Sequence, residues 1–180
     1  MPPWYSQFIS FQKKERNLKS CRWIQLATVA LDNTPRVRTV VFRGWTDSYD
    51  MEILTDKRSQ KYRELEENNN VEICWLFSKS SCQFRFRGKS KFEYGEAIHD
   101  HWKKLNDKSK EMWSWPSPGS KYIFNDKDVF PSNKNHKLID NFLLIKIEID
   151  HVDQLILKQP MHIRKKWIKS DNWIEQRIYP

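Results

Sequence analysis

Residues 36–61 read RVRTVVFRGWTDSYDMEILTDKRSQK and combine two strand-like segments with the start of a helix. Cations and hydroxyls collect where the strands end and the helix begins, namely Arg38, Arg43, Thr55, Arg58, Ser59 and Lys61. A guanidinium group offers a planar fork of donors and a helix start offers free N–H groups, and both suit a phosphate dianion. The stretch therefore predicts a site for a phosphorylated cofactor. The alternative is a solvated strand edge, because charged flanks also discourage edge-to-edge pairing of sheets.

The spacing of the two arginines poses a geometric question. Arg38 and Arg43 are five residues apart, so a regular strand would direct them to opposite faces. Either the strand carries a bulge, or one guanidinium lies beyond the end of the strand. The sequence leaves both possibilities open.

Hydrophobic patterning on either side of this stretch predicts a chain rich in strands. Strands are expected at 22–31, 37–43, 51–55, 71–77, 82–96, 142–150 and 152–157, followed by two closing segments at 162–169 and 173–180. Helices are expected at 3–19, 57–67 and 96–115, and a surface loop at 119–137. Seven to nine strands that follow one another by hairpins favour an antiparallel barrel with helices packed on it. The predicted class is mainly β with added helices, in one domain over residues 1–180.

The composition indicates which classes of partner to expect: membrane, nucleic acid or metal. No run approaches the roughly 18 apolar residues that span a bilayer, and the first residues lack a signal-peptide pattern, so we expect a cytoplasmic protein without a membrane partner. The three cysteines are odd in number and form no CxxC pair, which indicates reduced thiols. The net charge of +9 is dispersed among acidic residues, so we expect no nucleic-acid partner. The five scattered histidines predict no metal site.

Several motifs, taken in order, resemble one known family. RVRTVVFRGW, TDKRSQK, EICWLF, CQFRFRG and a closing W-x-x-x-R-x-x-P together are similar to the pyridoxamine 5′-phosphate oxidase family, in particular to a flavin-binding branch without an assigned substrate. The similarity runs from about residue 4 to 180. It implies an FMN-binding split β-barrel that works as a homodimer, with each flavin in a cleft between subunits.

The resemblance also implies roles for residues of this chain. Arg38 would pair with the FMN phosphate, backbone groups from Thr39 to Val41 would contact the flavin ring, and Arg43 would approach the ring and the substrate. The implied cofactor contacts are Arg38, Thr39, Val40, Val41, Phe42, Arg43, Leu54, Thr55, Arg58, Ser59, Gln60, Lys61, Gln83 and Arg164. A basic residue usual in oxidase members matches Gln60 here, so Arg58 is the candidate to supply the missing charge.

Two further matches lie later in the chain. Gln83 matches a family glutamine that reaches the flavin ring, five residues before a glycine that is Gly88 here; without the resemblance it would be a cross-strand surface amide. The family pattern R-x-H-x-R is met by His162 and Arg164, with Pro160 in place of its first arginine. Arg43 and His162 are the implied substrate contacts.

Departures from the family pattern concern the substrate. Oxidase members hold the substrate phosphate partly with a Tyr and an Arg, and those positions fall near His101 and Leu105 here. Each charge-assisted hydrogen bond lost would cost about 1.5–3 kcal/mol. We therefore expect an FMN-dependent oxidoreductase of unknown substrate. The alternatives are a true pyridoxine or pyridoxamine phosphate oxidase that uses cations such as Lys103, Lys104 or Lys121, and a non-catalytic flavin- or anion-binding module.

Overall fold

The computed structural model describes residues 1–122 and 137–180, so most of the predicted loop at 119–137 lies outside the described residues. The helices are α1 (Pro3–Glu15), α2 (Gln60–Glu67), α3 (Glu96–Lys103) and α4 (Asp107–Met112). The strands are β1 (Trp23–Val29), β2 (Pro35–Trp45), β3 (Met51–Asp56), β4 (Asn70–Phe77), β5 (Cys82–Glu93), β6 (Phe142–Ile156), β7 (Ile163–Ile168) and β8 (Gln176–Ile178). Within these ranges, no helix is long and apolar enough to cross a membrane.

Antiparallel pairing closes six strands into a barrel. The order is β3-β2-β1-β4-β5-β6, and β6 pairs again with β3. The N-terminal half of β6 pairs with β3 and its C-terminal half pairs with β7, so β7 and β8 extend the sheet beyond the barrel. The predicted antiparallel barrel with packed helices is confirmed.

The strands predicted at 142–150 and 152–157 are in fact one strand of 15 residues. Its ladder with β5 shifts register where Arg87 faces His151 and Gly88 faces Ile149, which leaves Asp150 as an extra residue. A β-bulge of this kind absorbs a break in the alternation of apolar residues without ending the strand. A side chain at Gly88 would collide with the backbone carbonyl of Glu148, so only glycine fits there.

The helix predicted at 96–115 is interrupted. α3 ends at Lys103, and the side chain of Asn106 accepts a hydrogen bond from the Ser109 N–H to begin α4. Asparagine is a favoured N-cap residue, and this local signal overrides the helical spacing of the apolar residues around it.

Aromatic side chains fill the barrel. Trp4 and Phe8 of α1 are 1% and 0% exposed, and the Phe8 ring lies 4.8 Å from Trp75 and 5.3 Å from Phe84. Edge-to-face contacts of this kind add to the burial of large apolar surfaces. α1 therefore closes part of the barrel as a packing element. A smaller core outside the barrel joins α3 to β6 through Trp102 and Phe142.

Candidate functional site

The barrel is open along part of the edge between β2 and β3. The β2–β3 ladder runs only from Phe42 opposite Ile53 to Trp45 opposite Met51. Beyond it, β3 continues at 54–56 with β6 as its partner, whereas β2 at 38–41 is paired with β1 alone among the strands of residues 1–122 and 137–180. Backbone groups on that free edge of β2 are therefore available to a ligand. This is the segment whose backbone was predicted to contact a flavin ring.

Side chains alternate along this part of β2. Val40 and Phe42 are buried in the barrel core, Thr39 is exposed and Val41 is half-buried on the outer face. Only the backbone of Val40 and Phe42 is therefore available to a cofactor, as the resemblance implied for Val40.

A β-bulge at Arg43 explains how β2 places Arg38 and Arg43. The register between β2 and β3 shifts between Phe42 and Gly44, so Arg43 is the extra residue. Its side chain is exposed, whereas Arg38 points towards β1 and α2. The two guanidinium groups thus lie in different parts of the candidate site, which agrees with separate roles for them.

Two cations meet at the open edge, one from β2 and one from α2. Arg38 donates to the Leu26 carbonyl, to the Thr28 hydroxyl, and to Glu64 at 2.6 Å. Burial lowers the pKa of Lys61, and the neighbouring charge of Arg38 lowers that pKa further. The charges of Asp56 and Glu64 act in the opposite direction and raise that pKa, so carboxylates partly offset the repulsion between the two cations.

Two buried hydroxyls lie beside these cations. Thr55 and Ser59 are 1% and 4% exposed, and their oxygens lie 3.4 Å apart. Lys61 Nζ donates to Ser59 Oγ at 3.3 Å. Ser59 is the N-cap residue of α2 but makes no side-chain cap, because its hydroxyl donates to the Asp56 carbonyl at 2.6 Å. The first N–H groups of α2 are thus left for another acceptor. We call Arg38, Thr55, Ser59 and Lys61 the β2–α2 pocket.

Arg58 and Gln60 lie next to this pocket but are placed differently. The Arg58 guanidinium forms an ion pair with Asp56 at 2.7 Å and donates to the Trp115 carbonyl at 3.0 Å. Gln60 is exposed at the first position of α2, and Leu54 is half-buried and points away from the barrel core. The assignment of Arg58 to the missing charge stays a prediction, and its guanidinium is already engaged with Asp56.

The remaining predicted contacts form a second group, which we call the β5–β7 face. Gln83 of β5 faces Leu155 of β6, which in turn faces Arg164 of β7. Arg164 forms an ion pair with Asp153 at 3.0 Å. His162 is exposed before β7 and accepts a hydrogen bond from the Lys158 N–H.

The two groups are not brought together within one chain. In the six-stranded barrel β5 lies opposite β2, three strands away in either direction. At about 4.8 Å between neighbouring strands, the path along the wall is about 14 Å, and the Gln83 side chain faces outwards. The Arg38 and Gln83 side chains of one chain therefore lie on opposite sides of the barrel.

Some residues at the site gave no signal in the sequence analysis. Thr28 and Glu64 hold Arg38, and Asn141 donates to Asp56 at 2.8 Å. The alternation of β1 places Thr28 on the inner face, which could have indicated it. The pairing of Glu64 and Asn141 depends on how α2 and β6 pack, and no local pattern shows it.

His101, near which the resemblance places a tyrosine of oxidase members, pairs with a carboxylate. Its Nε2 lies 3.1 Å from Glu52 Oε2, and both side chains are about 15% exposed. Glu52 faces Gly44 at the bulge that carries Arg43, and a Cβ at Gly44 would lie 3.4 Å from Glu52 Oε2. The Glu52 carboxylate therefore lies beside His101, near which the resemblance places a substrate-phosphate contact of oxidase members.

Comparison with known proteins agrees with this geometry. The family model described as pyridoxamine 5′-phosphate oxidase, FMN-binding domain, matches residues 1–93. Pyridoxine/pyridoxamine 5′-phosphate oxidase 2 of Arabidopsis thaliana is 31% identical over 173 residues, covering 87% of this chain and 84% of the relative. Pyridoxine/pyridoxamine 5′-phosphate oxidase of Psychrobacter cryohalolentis is 31% identical over 110 residues, which cover 60% of this chain and 50% of that relative.

Solved structures show the same architecture. A pyridoxamine 5′-phosphate oxidase-related, FMN-binding protein from Nostoc punctiforme has a TM-score of 0.89 at 28% identity, covering 100% of this chain and 99% of that one. PhzG from Burkholderia lata has a TM-score of 0.82 at 15% identity, covering 98% and 90%, a likeness that shows the fold alone.

The fold and the open edge define a split-barrel protein of the FMN-binding class. The chain belongs to the pyridoxamine 5′-phosphate oxidase family. The family, the split barrel and FMN as the cofactor, all predicted from the sequence, are confirmed. The β2–α2 pocket fits the phosphate of FMN, because it combines two cations, two buried hydroxyls and a helix start.

Proposed function

We propose that this chain is an FMN-dependent oxidoreductase that works as a cytoplasmic homodimer. Arg38, Thr55, Ser59 and Lys61 of one copy hold the cofactor phosphate, and backbone groups at 39–41 contact the ring. Gln83 and Arg164 of the second copy complete the site. The domain extends over residues 1–180.

The β2–α2 pocket carries the proposal. Arg38 and Lys61 lie close enough for one charge to lower the pKa of the other, in spite of the cost of placing like charges together. A phosphate dianion would offset that cost and accept hydrogen bonds from both hydroxyls. The free edge of β2 begins at the same point, so a ligand bound there by its phosphate can extend along 39–41 towards Arg43.

The separation of the two predicted groups supports the homodimer. The β5–β7 face lies on the opposite side of the barrel from the β2–α2 pocket, and a second copy would place both groups on one flavin. Large apolar side chains on the outer surface are also exposed by half or more of their area: Trp23, Val37, Leu76 and Leu157. An apolar surface of this kind, with an exposed tryptophan, is typical of a protein interface.

The three cysteines are free thiols, which supports a reducing compartment.

Once bound, FMN supplies hydride and electron transfer, and the residues of the chain position it. Arg38 and Lys61 neutralise the phosphate, and the Thr55 and Ser59 hydroxyls fix its orientation. Arg43, exposed at the bulge, is placed to approach the ring and the substrate. His162 of the second copy is the proposed substrate contact on the other side of the cleft.

A true pyridoxine or pyridoxamine phosphate oxidase is the second candidate, because two relatives carry that name. The pairing of His101 with Glu52 argues against it, since a carboxylate beside a substrate phosphate is repulsive. Lys103 and Lys104 at the end of α3, and Lys121, are the cations that could offset this repulsion.

The decisive experiment is the visible spectrum of the protein purified without added cofactor, with chromatography of whatever denaturation releases. We expect a flavin spectrum and FMN, not FAD or riboflavin. A protein that stays colourless when FMN is supplied contradicts the proposal. Reduction of the bound flavin by a nicotinamide nucleotide and its reoxidation by oxygen would exclude a binding-only module, and turnover of pyridoxamine phosphate would favour the second candidate.

A further inference from the structure

A buried negative charge lies beside the pocket proposed for a dianion. Asp56 follows Thr55 directly and is 7% exposed. Its backbone carbonyl accepts hydrogen bonds from both the N–H and the hydroxyl of Ser59. Its charge is close enough to Lys61 to raise the pKa of that ammonium group. An unshielded carboxylate in this position would repel the cofactor phosphate.

Two side chains surround the Asp56 carboxylate. Arg58 donates Nε to Oδ1 at 3.0 Å and Nη2 to Oδ2 at 2.7 Å, and its own backbone N–H donates to Oδ1 at 2.7 Å. Asn141 Nδ2 donates to Oδ2 at 2.8 Å. Burial opposes ionisation of Asp56, but the hydrogen bonds from Arg58 and Asn141 keep the pKa of Asp56 below its usual value. The carboxylate is therefore charged and paired.

The same network fixes the turn that presents the pocket. Asn141 also donates to the Trp113 carbonyl at 3.0 Å and accepts from the Lys57 N–H at 2.9 Å. Arg58 reaches the Trp115 carbonyl at 3.0 Å. The network thus ties the 56–59 turn to β6 and to the segment after α4.

We propose that Arg58 is a positioning residue that acts through Asp56. It shields the Asp56 charge from the FMN phosphate while Asp56 holds the turn that carries Ser59, and it does not itself bind the phosphate. This inference rests on the proposed function and refines the expectation that Arg58 supplies a phosphate contact. It also gives a reason for a cation at Arg58, next to Asp56, in a chain that has the neutral Gln60 two residues later.

The test is a double-mutant cycle on FMN affinity, measured by the quenching of flavin fluorescence in the full chain. Arg58→Ala should weaken FMN binding about ten-fold, because two like charges then face each other in a poorly screened site. Asp56→Asn alone should bind FMN as tightly as the unmodified protein or more tightly. The double variant R58A/D56N should return to within about three-fold of the unmodified protein, because the repulsive charge is gone.

Riboflavin lacks the phosphate, so Arg58→Ala should leave riboflavin affinity unchanged, whereas general damage to the fold would weaken riboflavin and FMN alike. The double variant separates shielding from support of the turn, because R58A/D56N lacks the Arg58–Asp56 pair and can recover FMN affinity only if repulsion caused the loss. Arg63→Ala is the matched control: this residue is exposed on α2, five residues after Arg58, so an arginine charge is removed nearby without touching the Asp56 network. It should change FMN affinity less than two-fold, since exposed charges are screened.

Three outcomes would overturn the proposal. These are an unchanged FMN affinity in Arg58→Ala, no recovery in the double variant, and an equal loss of riboflavin and FMN. If Arg58→Ala does not fold, the FMN affinity of Asp56→Asn tests the proposal by itself. Weaker FMN binding in that variant than in the unmodified protein contradicts shielding. Failure of the unmodified protein to bind FMN would instead refute the proposed function.

Discussion

The β2–α2 pocket and the β5–β7 face both contain predicted flavin contacts, yet they are built in opposite ways. In the pocket, Thr55 and Ser59 are almost fully buried, and Lys61 is held near Arg38 against electrostatic repulsion. On the β5–β7 face, Gln83 is half-buried beside a shallow depression of about 270 Å³, and Arg164 is already paired with Asp153. Arg38 is also paired, with Glu64, so the two regions differ mainly in burial: the pocket already encloses its hydroxyls, whereas the β5–β7 face needs a further surface to become a site.

In the proposed homodimer, this difference predicts how affinity is distributed between the two copies. A preformed pocket avoids much of the ordering cost of binding, so the phosphate contacts should supply most of the affinity. The contacts from the second copy should contribute less affinity and more orientation of the ring. The following predictions test this division.

The largest effect is expected from Arg38→Ala, which should weaken FMN binding and also destabilise the fold. Glu64 is buried, and without Arg38 it would keep the hydrogen bond from the Thr28 hydroxyl but lose its ion pair. Removing one member of a fully buried ion pair costs about 3–5 kcal/mol, and we expect about 2–3 kcal/mol here because Arg38 is partly exposed. Denaturant unfolding without flavin measures this loss.

The family resemblance assigns Arg38 to the FMN phosphate alone, whereas its ion pair with Glu64 gives it a second role in the fold. Arg38→Ala combined with Glu64→Ala separates the two roles. The double variant should regain stability but not FMN affinity. Recovery of FMN binding along with stability would show that Arg38 serves the fold alone.

Lys61→Ala should affect the cofactor and leave the fold intact. Loss of one charge-assisted hydrogen bond of about 1.5–3 kcal/mol corresponds to FMN binding that is weaker by about 10- to 100-fold. Preference for FMN over riboflavin should fall by the same factor, because only the phosphate contact is lost. Titration with both flavins measures this, with Arg63→Ala as the exposed control on α2. Equal losses for FMN and riboflavin would place Lys61 away from the phosphate.

Arg164→Ala should have a smaller effect, about three- to ten-fold on FMN affinity, as expected of a single contact from a partly exposed side chain. Subunit mixing makes the test specific for a second copy. A dimer of one Arg164→Ala chain and one Lys61→Ala chain has one site with both defects and one site with neither. Half of the sites should therefore bind FMN with full affinity. Absence of any tight sites in a verified mixed dimer would contradict the shared cleft.

Local patterns predicted most of the fold, and they failed where distant contacts decide. An apolar run located the strand that became β4, and alternation located β5, because one face of each is packed into the barrel. The single strand β6 was divided in the prediction, because the bulge at Asp150 interrupts its alternation and only the ladder to β5 shows continuity. The break at Asn106 had a local capping signal that the apolar spacing obscured.

For the candidate site, the sequence indicated which residues to consider but not how they are grouped. Cations and hydroxyls in 36–61 predicted an anion site, and the structure brings four of them into one pocket. The ion pair of Arg38 with Glu64 depends on how α2 packs, and the ion pair of Arg58 with Asp56 depends on the geometry of the 56–59 turn. Neither can be read from the periodicity of the sequence. The placement of Gln83 opposite β2 follows from strand order in the barrel, which is a property of the whole chain.

The smallest expected effect is a pH dependence of FMN binding that originates at Lys61. In the protein without FMN, burial and the charge of Arg38 lower the pKa of this ammonium group below the ordinary lysine value of 10.5. A bound phosphate dianion should raise that pKa again. FMN binding then takes up a proton at alkaline pH, so affinity should fall as pH rises towards 10.5. Lys61→Arg is the control, because a guanidinium group stays charged throughout that range, and any titration of the flavin is common to both proteins. If the two proteins lose affinity in parallel as pH rises, the ammonium group is not close to the phosphate, and the pocket must bind the anion through Arg38, the hydroxyls and the start of α2.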